Sequence, residues 1–536
     1  MDIIARAIEK KKHISSIEKL NHQTWEQFEQ ARKGKKVFLF GAGACFSYYW
    51  RKYPDAERLT GVIDNDVKKQ GIKVGDLILE GFMTKEEKLI VSDIKSLENY
   101  DPGSLVILVA SINYYEEIVR QLEKLRIHNI FIMLIMEANY RIKLGNDYDE
   151  KSYDLEKERA KFADSCCRLP IQQKKIVFKA FGTYSDHGKY ITEQLLKLRK
   201  DIDIVWIVNN SNVEIPSGVR LVSACHWKKY IYEMETAHIW VINTIIQGYL
   251  RKREGQIYIH TKHWASITLK KFYLDASTIT DISEDVELWK YNGHCMDYMI
   301  TGSKFDEESC SRGFGFHKEF IKAGSPRTDA MFHRDILREK VCKKFNVSCS
   351  KKFLVYAPTY RYQSKDMSGH FAEVRNIEID YAQLKDSLES RFGGEWYIFL
   401  RLHPAVAKES INIVKPEYVI DASDYEDSEE LCSACDILIS DYSSIMFEPA
   451  FVKKPVFLFA TDRQEYIDKE YDLLIDYDTL PFSIAETNEE LVENIMNFEQ
   501  KEYEQKVDSF LNKYGVHEDG HASERAAEFI SNLIEE

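Results

Sequence analysis

The stretch that decides the fold lies near the end of the chain, where Asp436-Ile-Leu-Ile-Ser440 leads into Asp441-Tyr-Ser443-Ser444-Ile-Met-Phe-Glu448. Its apolar run has the length of a buried strand, and the small polar residues after it are typical of a helix start. A short buried strand that runs into a helix is the repeating unit of a parallel sheet. This stretch therefore predicts an α/β fold.

Two further runs in the same part of the chain have this form. Leu354–Ala357 leads into Pro358 and Thr359, and Trp396–Leu400 leads into Arg401-Leu-His403. A parallel sheet brings the ends of such strands to one edge. Arg401 and His403 alternate along the strand exit, so we expect them to point to the same side and to grip a phosphate.

Ser443 and Ser444 stand at the predicted helix start, where hydroxyls and free backbone N–H groups can hold anionic oxygens. Glu448 lies one helical turn after Ser444 and could accept hydrogen bonds from ribose hydroxyls. Ordinary helix capping and a solvated glutamate are the alternatives. Because three polar clusters share one edge, we expect a nucleotide-diphosphate site there.

A second block of strands ends in a histidine. Gln256–His260 leads into Thr261-Lys-His263, and Lys270 and Lys271 follow within two turns. A histidine just past a buried strand sits where open α/β sheets bind ligands, and its ordinary pKa suits proton removal at neutral pH. His263 is therefore a candidate general base, and the two lysines are candidates for binding a phosphate or the acceptor. A capping or partly buried structural histidine is the alternative.

The chain has 536 residues, against about 100–200 in a typical domain, so several domains are expected. Basic pairs precede apolar runs at Lys35-Lys36, Lys174-Lys175 and Lys351-Lys352. Each run then gives way to a helical pattern. We predict three α/β blocks, over residues 1–150, 151–335 and 336–536.

The first block carries a candidate accessory nucleotide site. A strand at Val37–Phe40 runs into Gly41-Ala-Gly43, and a second strand ends at Asp64 about 20 residues later, as in Rossmann dinucleotide sites. Phe46 stands where the third glycine would be. A Rossmann-like fold is expected, while ligand binding and simple packing both remain open.

Composition excludes several classes of function. Lys and Arg number 73 and Asp and Glu 87, a net charge of −14, so no broad nucleic-acid surface is expected. No apolar run reaches the roughly 20 residues of a membrane span, and the N-terminus lacks the pattern of a signal peptide. We expect a cytoplasmic protein whose ten cysteines are reduced. Asp64-Asn-Asp66 and Asp201-Ile-Asp203 resemble metal motifs, but no metal and no cofactor are assigned.

These stretches, in this order, resemble the CDP-glycerol glycerophosphotransferase family, the teichoic-acid glycerol- and ribitol-phosphate polymerases and primases. The resemblance covers roughly residues 174–536, and residues 435–448 are close to the family's D-x-L-I-T-D-Y-S-S-x-M-F-D. Further matches are Ala323–Asp329, which contains Arg327, and Tyr356–Thr359, Leu400–Pro404, Thr487–Leu491 and Asp519–Arg525.

One motif departs from the family. The family's T-W-H-G-T-P-L-K-K appears here as Thr261-Lys-His263-Trp264-Ala-Ser-Ile-Thr-Leu269-Lys-Lys. The histidine and the lysines carry over, whereas the neighbours of His263 and their contacts do not.

The family has the GT-B architecture, two Rossmann-like halves that face each other across a cleft. The resemblance implies that residues 151–335 form the acceptor-side half and residues 336–536 the half that binds the CDP donor, preceded by the additional N-terminal Rossmann-like domain. It implies transfer of glycerol phosphate or ribitol phosphate from CDP-glycerol or CDP-ribitol to a hydroxyl of a lipid-linked surface polymer, teichoic acid or capsule-like, with release of CMP. His263 and His403 would be catalytic, and Arg327 would act on the charge of the diphosphate.

Two other functions remain open at this point. A GT-B hexosyltransferase or nucleotide-sugar epimerase would use a UDP-sugar, and a non-catalytic protein would sense nucleotides or support assembly. Because the implied acceptor is lipid-linked, we also expect peripheral contact with the cytoplasmic face of the membrane. Ile3–Leu20 is the candidate surface helix.

Overall fold

The computed structural model describes residues 14–42, 59–72, 90–144, 155–209, 213–224, 226–275, 286–359, 361–362, 372–373, 379–402, 415–469 and 472–535. Of the candidate surface helix, residues 3–13 lie outside these ranges. So do Gly43, Phe46 and His403.

The first sheet has five parallel strands, all from the first block. Its order, β3-β2-β1-β4-β5, doubles back at β1 as in doubly wound sheets. Its strands are β1 (Lys36–Phe40), β2 (Leu59–Ile63), β3 (Val91–Ser92), β4 (Leu105–Val109) and β5 (Ile130–Ile132). Its helices are α1 (Trp25–Ala31), α2 (Tyr115–Lys124) and α3 (Met133–Leu144). Strand β4, which lies next to the central strand β1, is fully buried, and all five of its residues are apolar.

The second sheet has seven parallel strands in the order β12-β11-β10-β9-β6-β7-β8. Its strands are β6 (Gln172–Lys179), β7 (Asp203–Val208), β8 (Val219–Ser223), β9 (Ala237–Ile242), β10 (Ile257–His260), β11 (Tyr298–Ile300) and β12 (Glu319–Ile321). The helices of this stretch are α4 (Leu155–Cys166), α5 (Asp186–Leu198), α6 (Trp227–Thr236), α7 (Val286–Cys295) and α8 (Lys304–Phe314). We call this seven-stranded sheet the middle sheet.

The third sheet has six parallel strands in the order β17-β16-β13-β18-β19-β20. The strands from here on are β13 (Lys352–Ala357), β14 (Arg361–Tyr362), β15 (Ala372–Glu373), β16 (Trp396–Leu400), β17 (Val419–Asp421), β18 (Ile437–Ser440), β19 (Val456–Phe459) and β20 (Ser483–Ala485), of which β14 and β15 form a separate antiparallel pair. The helices are α9 (Arg334–Phe345), α10 (Tyr381–Phe392), α11 (Ser428–Ala434), α12 (Phe447–Phe451), α13 (Arg463–Lys469), α14 (Asn488–Met496), α15 (Gln500–Tyr514) and α16 (Ala522–Leu533). The expected α/β fold with parallel sheets is confirmed.

The segment that follows His263 leaves the middle sheet and docks on the third. Ile267 and Leu269 are fully buried in the core of the third sheet. Lys270 forms an antiparallel bridge with Leu473, and the Leu269 carbonyl accepts a hydrogen bond from Leu474 N at 2.8 Å. We call residues 265–271 the crossing segment, since it joins the two larger sheets.

The last helix crosses in the opposite direction. Ala526, Ala527 and Ile530 of α16 are buried in the core of the middle sheet. Asp329 fixes the start of this helix by accepting hydrogen bonds from the backbone N–H groups of Ala522 (3.0 Å) and Ser523 (2.7 Å). The boundaries near residues 150 and 335 stay predictions. Helix α16 follows the third sheet in the chain but packs against the middle sheet.

The expectation that all cysteines are reduced is wrong for one pair. Cys342 at the end of α9 forms a disulfide with Cys349 across a separation of seven residues. Cys432 and Cys435 are free and buried, in agreement with structural thiols. The scattered spacing of the cysteines did not reveal the pair, because the turn after α9 alone brings the two close together.

None of the helices in the described ranges combines the length and the apolar character that crossing a bilayer requires.

We expect Asp329→Ala to loosen α16 selectively, since it removes the acceptor for two backbone N–H groups at a buried helix start. Loss of a capping side chain typically costs about 0.5–2 kcal/mol. Hydrogen exchange should become faster across residues 522–533. The matched control, Thr487→Ala, removes the cap of α14 and should speed exchange only near residues 488–496. Unchanged exchange in α16 would contradict the capping role of Asp329.

Candidate active site

His263 lies in the turn after β10, at the carboxyl edge of the middle sheet. Its ring meets Phe181 edge-on at a centroid distance of 5.0 Å and Trp264 at 4.9 Å. His263 and Phe181 both reach solvent, whereas Trp264 is buried. The candidate base is thus presented at the edge where open α/β sheets bind ligands.

The surroundings of His263 keep its ring neutral. Desolvation by neighbouring protein lowers its pKa to about 4; the Asp186 carboxylate and the Asn243 carbonyl oppose this, and the positive charges of Arg327 and Lys262 add to it. At neutral pH the ring is therefore unprotonated, as a general base must be.

Arg327 joins the two larger sheets around this histidine. One of its terminal nitrogens donates to the Asp186 carboxylate and to the His263 carbonyl, each at 2.9 Å. The other donates to Glu429 and lies 3.0 Å from Glu448 Oε1. Asp186 and His263 follow strands of the middle sheet, whereas Glu429 and Glu448 lie in the helices α11 and α12 beside the third sheet. We call this group the Arg327 clamp.

Glu448 is buried within the Arg327 clamp. Desolvation raises its pKa to about 8; the Arg327 charge opposes this, while Glu429 and Asp186 add to it. Its Oε1 faces Arg327, and its Oε2 has no hydrogen-bond partner among the described residues. The predicted contact with a ribose stays a prediction, and the observed partner of Glu448 is Arg327.

A second buried cation crosses the same junction. The Lys189 ammonium of α5 contacts the carboxylates of Asp427 and Glu430, which belong to the third sheet's side. Glu430 also accepts a hydrogen bond from Tyr425 at 2.6 Å. The junction between the two sheets is therefore ionic at its centre.

Sequence reasoning did not single out Asp186 and His187. Asp186 has a left-handed φ of 60° and accepts a hydrogen bond from Asn243 at 2.6 Å. His187 is fully buried, with its Nε2 2.9 Å from the Trp264 carbonyl, and burial lowers its pKa well below the usual value. The available signal was an Asp-His-Gly run shortly after β6 (Gln172–Lys179), a strand of the sheet that carries His263.

The polar clusters of the third sheet share one edge, as predicted. Strands β16, β13 and β18 are neighbours, with Tyr356 opposite Leu400 and Ala357 opposite Ser440. Thr359, which follows Pro358 at the end of β13, donates to Asp441 Oδ1 from its backbone N–H (2.8 Å) and its hydroxyl (2.6 Å).

The two serines of the third sheet have different contacts. The Ser443 hydroxyl caps a short 3-10 helix by accepting from Ile445 N at 3.4 Å. The Ser444 hydroxyl lies 3.1 Å from the Thr268 hydroxyl and accepts from Leu269 N at 3.2 Å. Ser444 therefore contacts the crossing segment, and binding of a diphosphate by either serine stays a prediction.

The Arg401 side chain donates hydrogen bonds to backbone carbonyls. One of its terminal nitrogens donates to the carbonyls of Ala422 (3.1 Å) and Tyr425 (2.5 Å). These contacts anchor the connection from β17 to α11. The expected shared face of Arg401 and His403 falls outside the described residues, because His403 does.

Lys270 and Lys271 belong to the crossing segment. The Lys270 ammonium lies 5.2 Å from the centre of the Tyr466 ring. The Lys271 ammonium lies 3.9 Å from Asp472 Oδ2. Both charges therefore face third-sheet residues, and phosphate binding by these lysines stays a prediction.

In the N-terminal block, Asp64 is tied to its own surroundings. One carboxylate oxygen accepts from Ala42 N (2.8 Å) and Lys69 Nζ (3.0 Å), and the other from Asp66 N. Gly41 has a φ of 111°, and a side chain there would meet the Ala110 carbonyl at 3.0 Å. The glycine turn is thus required for packing, and ligand binding by this block stays a prediction.

Several buried polar atoms at the edge of the middle sheet have no hydrogen-bond partner among the described residues. They are Thr183 Oγ1, Asn243 Oδ1 and Thr244 Oγ1, to which Glu448 Oε2 is added at the junction. Buried polar atoms in proteins are nearly always hydrogen-bonded. Because the Asn243 carbonyl contacts His263, part of this unmet hydrogen-bonding capacity lies beside the candidate base. Within the described ranges, no group of three or more His, Cys, Asp and Glu residues forms a metal-binding cluster.

The fold and the site define an α/β protein of parallel sheets whose candidate site lies at the carboxyl edges of the strands, where such proteins bind their ligands. Residues 161–532 match the family model described as CDP-Glycerol:Poly(glycerophosphate) glycerophosphotransferase. The chain belongs to this family.

Known relatives agree with this assignment. The chain is 28% identical over 378 residues to the teichoic acid poly(glycerol phosphate) polymerase of Bacillus subtilis (strain 168). This match covers 68% of this chain and 49% of that protein. It is 27% identical to the teichoic acid glycerol-phosphate transferase of Staphylococcus aureus (strain NCTC 8325 / PS 47), over 68% of this chain and 94% of that one. The chain thus spans about half the length of the Bacillus subtilis polymerase.

A solved structure matches most of the chain's length. A structure of the wall teichoic acid polymerase TagF superposes with a TM-score of 0.62 at 25% identity, covering 74% of this chain and 98% of that chain.

We expect Glu448→Gln to become more stabilising, relative to the wild type, as the pH rises from 5 to 8. The raised pKa means that the folded protein keeps a proton which the unfolded chain releases near pH 4.5. The retained proton stabilises the folded wild type, and this stabilisation is lost as the pH rises through the folded pKa. Glutamine does not titrate, so the variant has no such loss. Urea unfolding at several pH values measures the difference.

Asp519→Asn is the matched control for this experiment. Hydrogen bonding to Arg525 lowers the pKa of Asp519 to about 2, so this carboxylate stays ionised in both states and its effect should be constant over the range. A pH-independent effect of Glu448→Gln would show that Glu448 is ionised in the folded protein.

Proposed function

We propose that the chain transfers glycerol phosphate or ribitol phosphate from its CDP-activated form to a hydroxyl of a lipid-linked cell-surface polymer, teichoic acid or capsule-like, and releases CMP. The observation that carries the proposal is His263, an exposed and unprotonated histidine at the junction of two parallel sheets in a member of the glycerophosphotransferase family.

The proposed step forms one bond and breaks one. The acceptor hydroxyl oxygen attacks the β-phosphorus of the donor, and the bond from that phosphorus to the oxygen bridging the two phosphates breaks. CMP leaves with the bonding electrons, and His263 takes the hydroxyl proton. Assistance by a general base is typically worth about 10²–10⁴-fold in rate.

Binding of the donor is proposed for the edge of the third sheet. Pro358, Thr359, Ser443 and Ser444 follow the neighbouring strands β13 and β18 there. His403 and Arg401 follow β16. Because Arg401 and Arg327 already hold protein groups, we propose that they shape the site, and that backbone N–H groups and His403 supply direct contacts to the phosphates.

Two further roles extend the proposal. The N-terminal block would be a Rossmann-like accessory domain that precedes a GT-B pair. The protein would act in the cytoplasm at the inner membrane face, where a lipid-linked acceptor is available. Family membership argues against a UDP-sugar enzyme, and retention of His263 argues against a purely sensing protein.

Incubating the protein with CDP-glycerol, CDP-ribitol or a UDP-sugar, together with a lipid-linked polyol-phosphate primer, tests the proposal. We expect CMP release with at least one CDP-polyol and growth of the primer by the same polyol phosphate. Release of UDP from the UDP-sugar, or no nucleotide release from any donor, would contradict it.

The role of His263 is tested in the same assay with His263→Gln. We expect turnover to fall by about 100-fold or more with donor affinity retained. Because the His263 pKa is about 4, the acidic limb that this group imposes on the wild-type profile should lie near pH 4. His294→Gln, at an exposed histidine of α7, is the matched control. Substantial activity of His263→Gln would indicate that His263 positions the acceptor without taking its proton.

A further inference from the structure

The two residues that flank His263 depart from the resembled family, and both contact one buried carboxylate. The Lys262 ammonium lies 2.9 Å from Asp306 Oδ2, and both side chains are fully buried. The Trp264 indole N–H donates to Asp306 Oδ1 at 3.1 Å. One aspartate in α8 therefore holds the chain on both sides of the candidate base.

Lys262 has a strained backbone and makes two further contacts. Its backbone has a left-handed φ of 53°, a conformation that is costly for a residue with a side chain. Its backbone N–H donates to His260 Nδ1 at 3.0 Å, and its ammonium donates to the Ile300 carbonyl at 3.2 Å. These contacts hold the reversal that turns His263 away from the buried strand end and out to solvent.

Trp264 fixes the other side of the turn. Its ring lies 4.5 Å from that of Phe272 and 6.2 Å from that of Phe314, and its carbonyl lies 2.9 Å from His187 Nε2. The edge of the His263 ring rests against it at 4.9 Å. A glycine at this position could supply neither the hydrogen bond to Asp306 nor this wall.

We propose that Asp306, Lys262 and Trp264 form a clamp that positions the His263 ring for proton removal. We call it the Asp306 clamp. None of its members touches the reacting atoms, so all three are positioning residues. The proposal rests on the proposed function and explains how a chain with altered neighbours of the histidine keeps the base in place.

The alternative is that the buried ion pair serves stability alone. Well-packed apolar residues often replace a buried ion pair with little loss of stability, whereas removing one partner leaves an uncompensated charge. The double variant Lys262→Met with Asp306→Leu therefore separates stability from positioning. Lys175→Met with Glu233→Leu is the matched control, since Lys175 and Glu233 form another buried ion pair of the middle sheet, 2.9 Å apart.

We expect the Lys262/Asp306 double variant to fold and to lose turnover on the order of 100-fold, the loss that a displacement of about 1 Å can cause. The KM for the CDP-polyol should stay unchanged. The nuclear Overhauser contact between the rings of His263 and Phe181, assigned with His263→Gln, should disappear. The Lys175/Glu233 variant should keep both the turnover and the ring contact.

A folded Lys262/Asp306 variant with wild-type turnover and an intact ring contact would overturn the proposal. If that variant does not fold, Trp264→Phe keeps the ion pair, removes the indole hydrogen bond to Asp306 and shortens the ring that packs against His263. Trp264→Phe should then lower turnover at unchanged donor KM and weaken the ring contact, and wild-type values for both would overturn the proposal. If the wild type releases no CMP, the proposed function fails, while the ring contact still tests the Asp306 clamp.

Discussion

The guanidinium of Arg327 is the group on which the junction between the two larger sheets depends. A buried cation is tolerated only when its charge and its donors are matched. Arg327 meets that requirement with Asp186 from the middle sheet and with Glu429 and Glu448 from the third. The sheets cannot separate without leaving these charges unpaired. The same guanidinium donates to the carbonyl of His263, so the junction and the candidate base share one anchor.

The surrounding contacts reinforce this arrangement from both sides. The crossing segment carries Ile267 and Leu269 into the core of the third sheet, while α16 returns to the core of the middle sheet. Lys189 adds a second ionic contact. Since carboxylates outnumber these two cations, protonation of Glu448 relieves the excess negative charge, in keeping with its raised pKa. We infer that this ionic centre serves to define one relative placement of the sheets.

The sequence predicted the parallel strands and the polar clusters at their ends, because a buried strand followed by small polar residues has a local pattern. The roles of these residues in binding a donor and an acceptor stay predictions. The sequence did not reveal which partners those residues have. Arg327 and Glu448, which were expected to meet a donor, contact each other, and this pairing between distant parts of the chain has no local pattern. The disulfide between Cys342 and Cys349 was missed because cysteine spacing alone does not report a turn.

Hydrogen exchange of Arg327→Lys against the wild type tests the central role of this guanidinium most directly. A lysine keeps the charge but cannot reach both sheets with a planar fork of donors. We predict faster exchange in all three of the stretches 186–198, 261–271 and 428–451. Exchange in β8 and β20, which are edge strands of the two sheets, should stay unchanged. A change confined to residues 326–332 would contradict the account, because it would mean that the two sheets and the His263 turn are held together without Arg327.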